Sequence, residues 1–183
     1  MRREEALKIL EELGNSPNMV KHALACEAAM RTLAQKFEPE KIDDWGVVGL
    51  LHDADYEATD KNLETHTDLV CQKLEDLGVE PLIIDAIKGH CDKAPQDTQI
   101  AKAIYAADEL TGLIVATALV MPDKKLSSVT TETVLRKFRE PKFAAGANRA
   151  QIKTCEAELQ ILLPEFVGII LKSMQKISED LGL

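Results

Sequence analysis

Apolar residues recur at intervals of three and four along nearly the whole chain, the spacing of one helical face, and no segment alternates well enough for a strand. Residues 3–13 predict a short amphipathic helix that stops at Gly14-Asn15-Ser16-Pro17. Ser16 or Asn18 can cap the next helix, which runs to about Phe37 and breaks at Glu38-Pro39-Glu40. Asp43 or Asp44 then caps a short helix through WGVVGLLHD. That helix is apolar nearly all round, so it belongs inside the protein.

The stretch from Ala54 to Lys61 is polar and predicts a loop, followed by a helix over 62–77 that ends at Gly78, a left-handed stop. Pro81 opens a helix reaching His90, and residues 92–98, with Pro95, predict a loop. A long helix spans about 99–120, with Pro122 just beyond it. A short helix fits 129–138, and REPKFAAGANR reads as a loop. Asn148, with Gln151 three residues on, forms a capping-box pattern for the last helices, which Pro164 divides. With no repeat, low-complexity tract or linker, residues 1–183 read as one all-α domain. Its core is expected over about 18–155, with helix 3–13 and the helices over 149–181 packed on it.

Composition narrows the function. Aromatics are only 4% of the 183 residues, so aliphatic side chains and alanine must build the core. The net charge of −9 argues against broad binding to nucleic acid or to an anionic membrane. The longest apolar run, Leu113 to Met121, is too short to span a bilayer. Cys26, Cys71, Cys91 and Cys155 form no CxxC pair, and the start MRREEALKIL lacks the apolar core of a secretory signal. Reduced thiols in a cytoplasmic protein are the expectation.

The candidate chemistry lies in four histidines, His22, His52, His66 and His90, on four different predicted helices or helix ends. One such histidine is ordinary. Asp53 and Asp108 alter the picture, because each falls in a helix that is apolar on most sides. A buried carboxylate costs several kcal/mol unless something compensates it. Lys102 is six residues from Asp108, the wrong spacing for a pair along one helix. A tertiary salt bridge would serve; a divalent cation held by imidazole and carboxylate would account for the aspartates and histidines together.

The order His22, His52-Asp53, Asp108, with the patterns LLHDADYE, AIYAADELTGLIVA and FAAGANR, resembles the HD superfamily of metal-dependent phosphohydrolases. His66 and His90 resemble the extra ligands of its six-ligand branch, and residues 18–155 look like stand-alone, HDIG-related members. The resemblance implies a compact helical HD-domain fold. It implies a first metal site of His22, His52, Asp53 and Asp108, and a second of His66 and His90, with Asp53 bridging. Mixed nitrogen and oxygen ligation suits one or two ions of Mn, Fe, Co, Ni or Zn, and suits Mg less well. Metal-activated water would then attack a phosphorus centre.

Asp53 is thus one expected catalytic residue, and Asp55 and Glu57, just beyond it, are candidates for acid–base help. The family position three residues past the HD aspartate is Tyr56 here, so no role is carried onto it. A small phosphorylated substrate needs cationic contacts. Arg139, Lys142 and Arg149, in a basic segment that a chain of this charge otherwise lacks, are the expected ones, and Lys88 and Lys93 flank His90. Cys91 and Asp92 are assigned no chemistry. Two other classes stand beside this one: a di-iron oxygenase of the HD fold, which uses the same six ligands, and a non-catalytic nucleotide-binding regulatory module, which degenerate ligands would signal and which ranks last because none is missing here. The oligomeric state is not legible in the sequence.

Overall fold

A computed structural model describes residues 1–183 as ten α-helices and two single-turn 3-10 segments, with no strand. The helices are α1 (Arg3–Glu12), α2 (Pro17–Phe37), α3 (Ile42–Leu51), α4 (Asp68–Asp76) and α5 (Pro81–Gly89). They continue with α6 (Gln99–Leu119), α7 (Thr131–Phe138), α8 (Arg149–Glu158), α9 (Leu163–Gln175) and α10 (Ser178–Leu181). The all-α expectation holds. No helix is long and apolar enough to cross a membrane.

The two 21-residue helices, α2 and α6, pack on one another at the centre. Helix α3 lies on α2, α5 and α8 lie on α6, and α9 covers α2. Small side chains permit this close packing: Ala23, Ala25, Cys26, Ala29 and Ala34 are buried on α2, and Ala101, Ala103, Ala106 and Ala107 on α6. Helix α3 is buried from Trp45 to Leu51, as its unbroken apolar run requires.

Gly49 sets the distance between α2 and α3. A Cβ there would come within 2.7 Å of the Cys26 backbone carbon and oxygen and of the Glu27 nitrogen. Glu27, buried on α2, joins α1 to the bundle. Its Oε1 accepts from Arg3 Nε at 2.7 Å and Arg31 Nε at 2.9 Å, and its Oε2 from Arg3 Nη2 at 2.9 Å.

Three local expectations are corrected. The helix over 62–77 begins only at Asp68; residues 63–67 form turns, and Thr67 has φ of 72°. The reason is a remote cap. The Asp55 carboxylate accepts from the amides of Thr67, Leu69 and Val70 at 2.8, 3.0 and 3.2 Å. It thereby satisfies donors that a helix start leaves free. At α3, neither Asp43 nor Asp44 is the cap; both sit in the first turn, after Lys41. At α8, Asn148 caps Ala150 and Gln151 as expected, but the Gln151 side chain turns to the His90 carbonyl instead of closing the box.

Candidate metal centre

Each candidate ligand is set by its element. His22 projects from the first turns of α2, and Asp108 from the middle of α6, which packs against it. His52 is the C-terminal cap of buried α3, and Asp53 follows where the helix unwinds. That unwinding lets two adjacent side chains face the same place. His66 lies in the turns before α4, and His90 caps the end of α5.

The six side chains converge. His22 Nε2 is 3.0 Å from Asp108 Oδ1, 3.2 Å from His52 Nε2 and 3.5 Å from Asp53 Oδ2. His52 Nε2 is 3.4 Å from Asp108 Oδ1 and 3.8 Å from Asp53 Oδ2. On the other side, His66 Nε2, His90 Nε2 and Asp53 Oδ1 form a triangle with all three edges 3.1 Å. One carboxylate therefore offers one oxygen to each cluster.

The donor set fits a divalent cation. Metal–ligand bonds of about 2.0–2.2 Å place neighbouring ligand atoms about 3.0 Å apart in an octahedron and about 3.4 Å in a tetrahedron. Three rings also have fixed tautomers, because His52 Nδ1 faces the Gly49 carbonyl at 3.0 Å, His90 Nδ1 the Ile87 carbonyl, and His66 Nδ1 the Asp55 carboxylate at 2.9 Å. A carbonyl or carboxylate oxygen can only accept, so Nδ1 carries the hydrogen and Nε2 presents its lone pair. Lone pairs of His66 and His90 facing each other at 3.1 Å need a proton or a cation between them.

The electrostatics agree. Burial alone would lower the histidine pKa values. Against it, Cys26, Asp108 and Asp53 hold His22, and Asp53, Cys26 and Asp108 hold His52, well above the usual imidazole range. Asp53 and Asp55 likewise outweigh burial to push His66 to about 9. Burial would raise Asp53, yet His52 and hydrogen bonds from His22, His66 and His90 hold it well below the usual carboxylate range. The same negative potential attracts a metal ion, which must displace protons to bind.

A cavity of about 680 Å³ opens over the cluster. His22, Asp53, His66, His90 and Asp108 reach its lining, together with Met19, Tyr56, Leu63, Asp92, Glu109 and Gln151. None of the expected cationic contacts does. Arg139 and Lys142 are exposed elsewhere on the α7–α8 connection. Arg149 turns inward and donates to the carbonyls of Phe138, Phe143, Ala144 and Ala147, so its guanidinium staples that loop. Lys88 pairs with Glu75, and Lys93 with Asp68 and the His66 carbonyl.

The two acid–base candidates also have other work. Asp55 is fully buried, and its oxygens are taken by His66 and the α4 amides. Glu57 Oε2 accepts from the Ser16 amide at 2.6 Å, holding the start of α2. Sequence reasoning passed over Cys26, whose Sγ lies 3.8 Å from His22 Nε2; its signal was the i,i+4 spacing on α2. It also assigned Asp92 no chemistry, gave Gln151 only a capping role, and passed over Glu109, all three of which line the cavity. Glu109 adjoins Asp108 and Asp92 follows His90 by two, but helical spacing alone gave no reason to bring α8 over them.

An all-helical protein with two His/Asp clusters joined by a single carboxylate defines a class of cation-binding domain. The sequence profile of the HD domain family matches residues 19–113, slightly over half the chain, and the protein belongs to that family. HD domains bind divalent metals and are generally metal-dependent phosphohydrolases. Comparison with curated proteins and with solved structures gives no match.

Proposed function

We propose that the protein is a cytoplasmic metal-dependent phosphohydrolase that cleaves a small phosphate ester or anhydride, with Asp53 shared between two ion sites. His22, His52, Asp53 and Asp108 would hold one ion, and His66, His90 and Asp53 the other. The observation that carries this reading is the division of the Asp53 carboxylate, Oδ2 toward His22 and Oδ1 toward His66 and His90. Bound there, divalent transition ions would lower the pKa of water and polarise a phosphoryl oxygen.

The chain's own residues supply the rest. Helix ends fix His52 and His90 through the Gly49 and Ile87 carbonyls, so the rings need no reorganisation to bind. Asp55 orients His66 while capping α4, which makes it a positioning residue. Met19, Tyr56 and Leu63 give the cavity an apolar side that limits water around the reacting group.

The test is metal analysis of the protein as isolated, then turnover of phosphate mono- and diesters with added Mn²⁺, Ni²⁺, Co²⁺ or Mg²⁺. Metal-dependent phosphate release lost in Asp53→Ala and His52→Ala is the expected result. Release that persists in either variant overturns the mechanism, and oxygen-dependent turnover by an iron-loaded form assigns the protein to the oxygenase class instead.

A further inference from the structure

Cys26 lies one helical turn beyond His22 on α2 and is fully buried. Its Sγ and one ligand atom each of His22, His52 and Asp108 all lie within 4.8 Å of one another. The cavity reaches His22, Asp53 and Asp108 but not Cys26, so the sulfur sits on the closed side of the cluster. Cys71 and Cys155 are as deeply buried and belong to no such group.

The hydrogen bonds around Cys26 leave its lone pairs free. Thr111 Oγ1 donates to the Asp108 carbonyl at 2.7 Å, so at 3.4 Å from Cys26 Sγ it can only accept the thiol hydrogen. His22 Nε2 is 3.8 Å from the same sulfur. An ion about 2.3 Å from a sulfur and about 2.0–2.1 Å from an imidazole nitrogen holds those atoms about 3.1 Å apart at a right angle and about 3.8 Å apart at 120°. The observed separation falls in that range.

We propose that Cys26 is a sulfur ligand of the ion held by His22, His52, Asp53 and Asp108, and that it makes this site prefer Zn²⁺ or Fe²⁺ to Mn²⁺ and Mg²⁺. On binding, the S–H bond breaks, the sulfur keeps the electron pair it shares with the ion, and the proton leaves to solvent. Sulfur is a soft donor, whereas carboxylate and water suit Mn²⁺ and Mg²⁺. This rests on the metal-binding part of the phosphohydrolase reading and adds a ligand and a metal preference to it.

The test is the absorption spectrum of the full chain loaded with Co²⁺, with X-ray absorption at the zinc edge on the Zn²⁺-loaded protein. Besides the visible d–d bands, an intense near-ultraviolet sulfur-to-cobalt charge-transfer band is expected, and one sulfur at about 2.3 Å from zinc. Cys26→Ser and Cys26→Val should each lose the band and the sulfur shell while still binding Co²⁺. In competition titrations both should lower the preference for Zn²⁺ over Mn²⁺ by at least about tenfold. Should a variant fail to fold, the wild-type spectra still decide. Wild-type spectra without sulfur, a band that survives both variants, or one lost instead in Cys91→Ser would each overturn the proposal and leave the nitrogen and oxygen ligands standing. So would an unchanged metal preference. Absence of the d–d bands, with no Co²⁺ bound, would remove the metal reading itself and the proposal with it, a result distinct from loss of the sulfur band alone.

Discussion

Asp55 Oδ1 lies 2.9 Å from His66 Nδ1, so a carboxylate outside the ligand cluster fixes the tautomer of a ring inside it. The same carboxylate caps α4, so its two roles should fail together. Asp55→Ala is expected to lower stability by roughly 2–3 kcal/mol, since buried amides lose their acceptor. It should also weaken metal binding at the His66–His90 cluster by about 10- to 100-fold. Chemical denaturation and a metal titration check both. Were Asp55 an acid–base group, the variant would lower kcat with stability and metal content unchanged.

The distance between α2 and α3 brings His22 to His52, and Gly49 sets it. Gly49→Ala is expected to cost about 1–3 kcal/mol, because the Cβ meets backbone that cannot turn aside. Gly46→Ala should cost less, since there a Cβ meets only the Arg31 guanidinium, the far end of a flexible side chain. Thermal unfolding of both variants, with metal content, provides the comparison; equal losses would show that the close approach at Gly49 is not what limits the packing.

His66 gives the pH dependence its sign. In the metal-free protein its pKa is raised to about 9, against an unfolded value of about 6.5. Its contribution to stability is therefore fully present below about pH 6.5 and lost as pH rises through about 9. Metal binding runs the other way, because an ion must displace the proton, and affinity should rise with pH up to about 9. Calorimetry in buffers of different ionisation enthalpy should show protons released on binding. Affinity that is flat from pH 6 to 9 would contradict this.

The basic segment separates two kinds of residue. Arg139→Ala and Lys142→Ala are expected to leave KM unchanged, since neither side chain reaches the cavity. Arg149→Ala should destabilise the protein by roughly 1–3 kcal/mol through the loop carbonyls it leaves unpaired. Steady-state kinetics and thermal unfolding distinguish these outcomes from a shared role in binding phosphate.

Helical period alone located nearly every helix, because most segments bury one face against a neighbour and their limits are local: Gly78 and Pro122 follow helix ends, and Pro81 and Pro164 sit in first turns. The expected ligands were legible for a similar reason, since Asp53 and Asp108 stand out in apolar helices. What failed depended on contacts far apart in sequence. The start of α4 is set by Asp55, twelve residues before the Thr67 amide, and no pattern within 62–77 encodes that. Arg149 reads as a free cation in sequence but turns back onto its own loop. Clustered charge in sequence does not say which face of the fold the charges occupy.

Metal stoichiometry in the wild-type protein and two variants tests most directly whether Asp53 joins the two clusters. Protein loaded with Mn²⁺ or Co²⁺ and desalted should carry up to two ions per chain. His90→Ala should lose only the ion of the His66–His90 cluster. Asp53→Ala should lose tight binding at both, because each cluster takes one of its oxygens. An Asp53→Ala protein that stays folded and keeps the wild-type metal content would contradict a shared carboxylate and the hydrolase built on it.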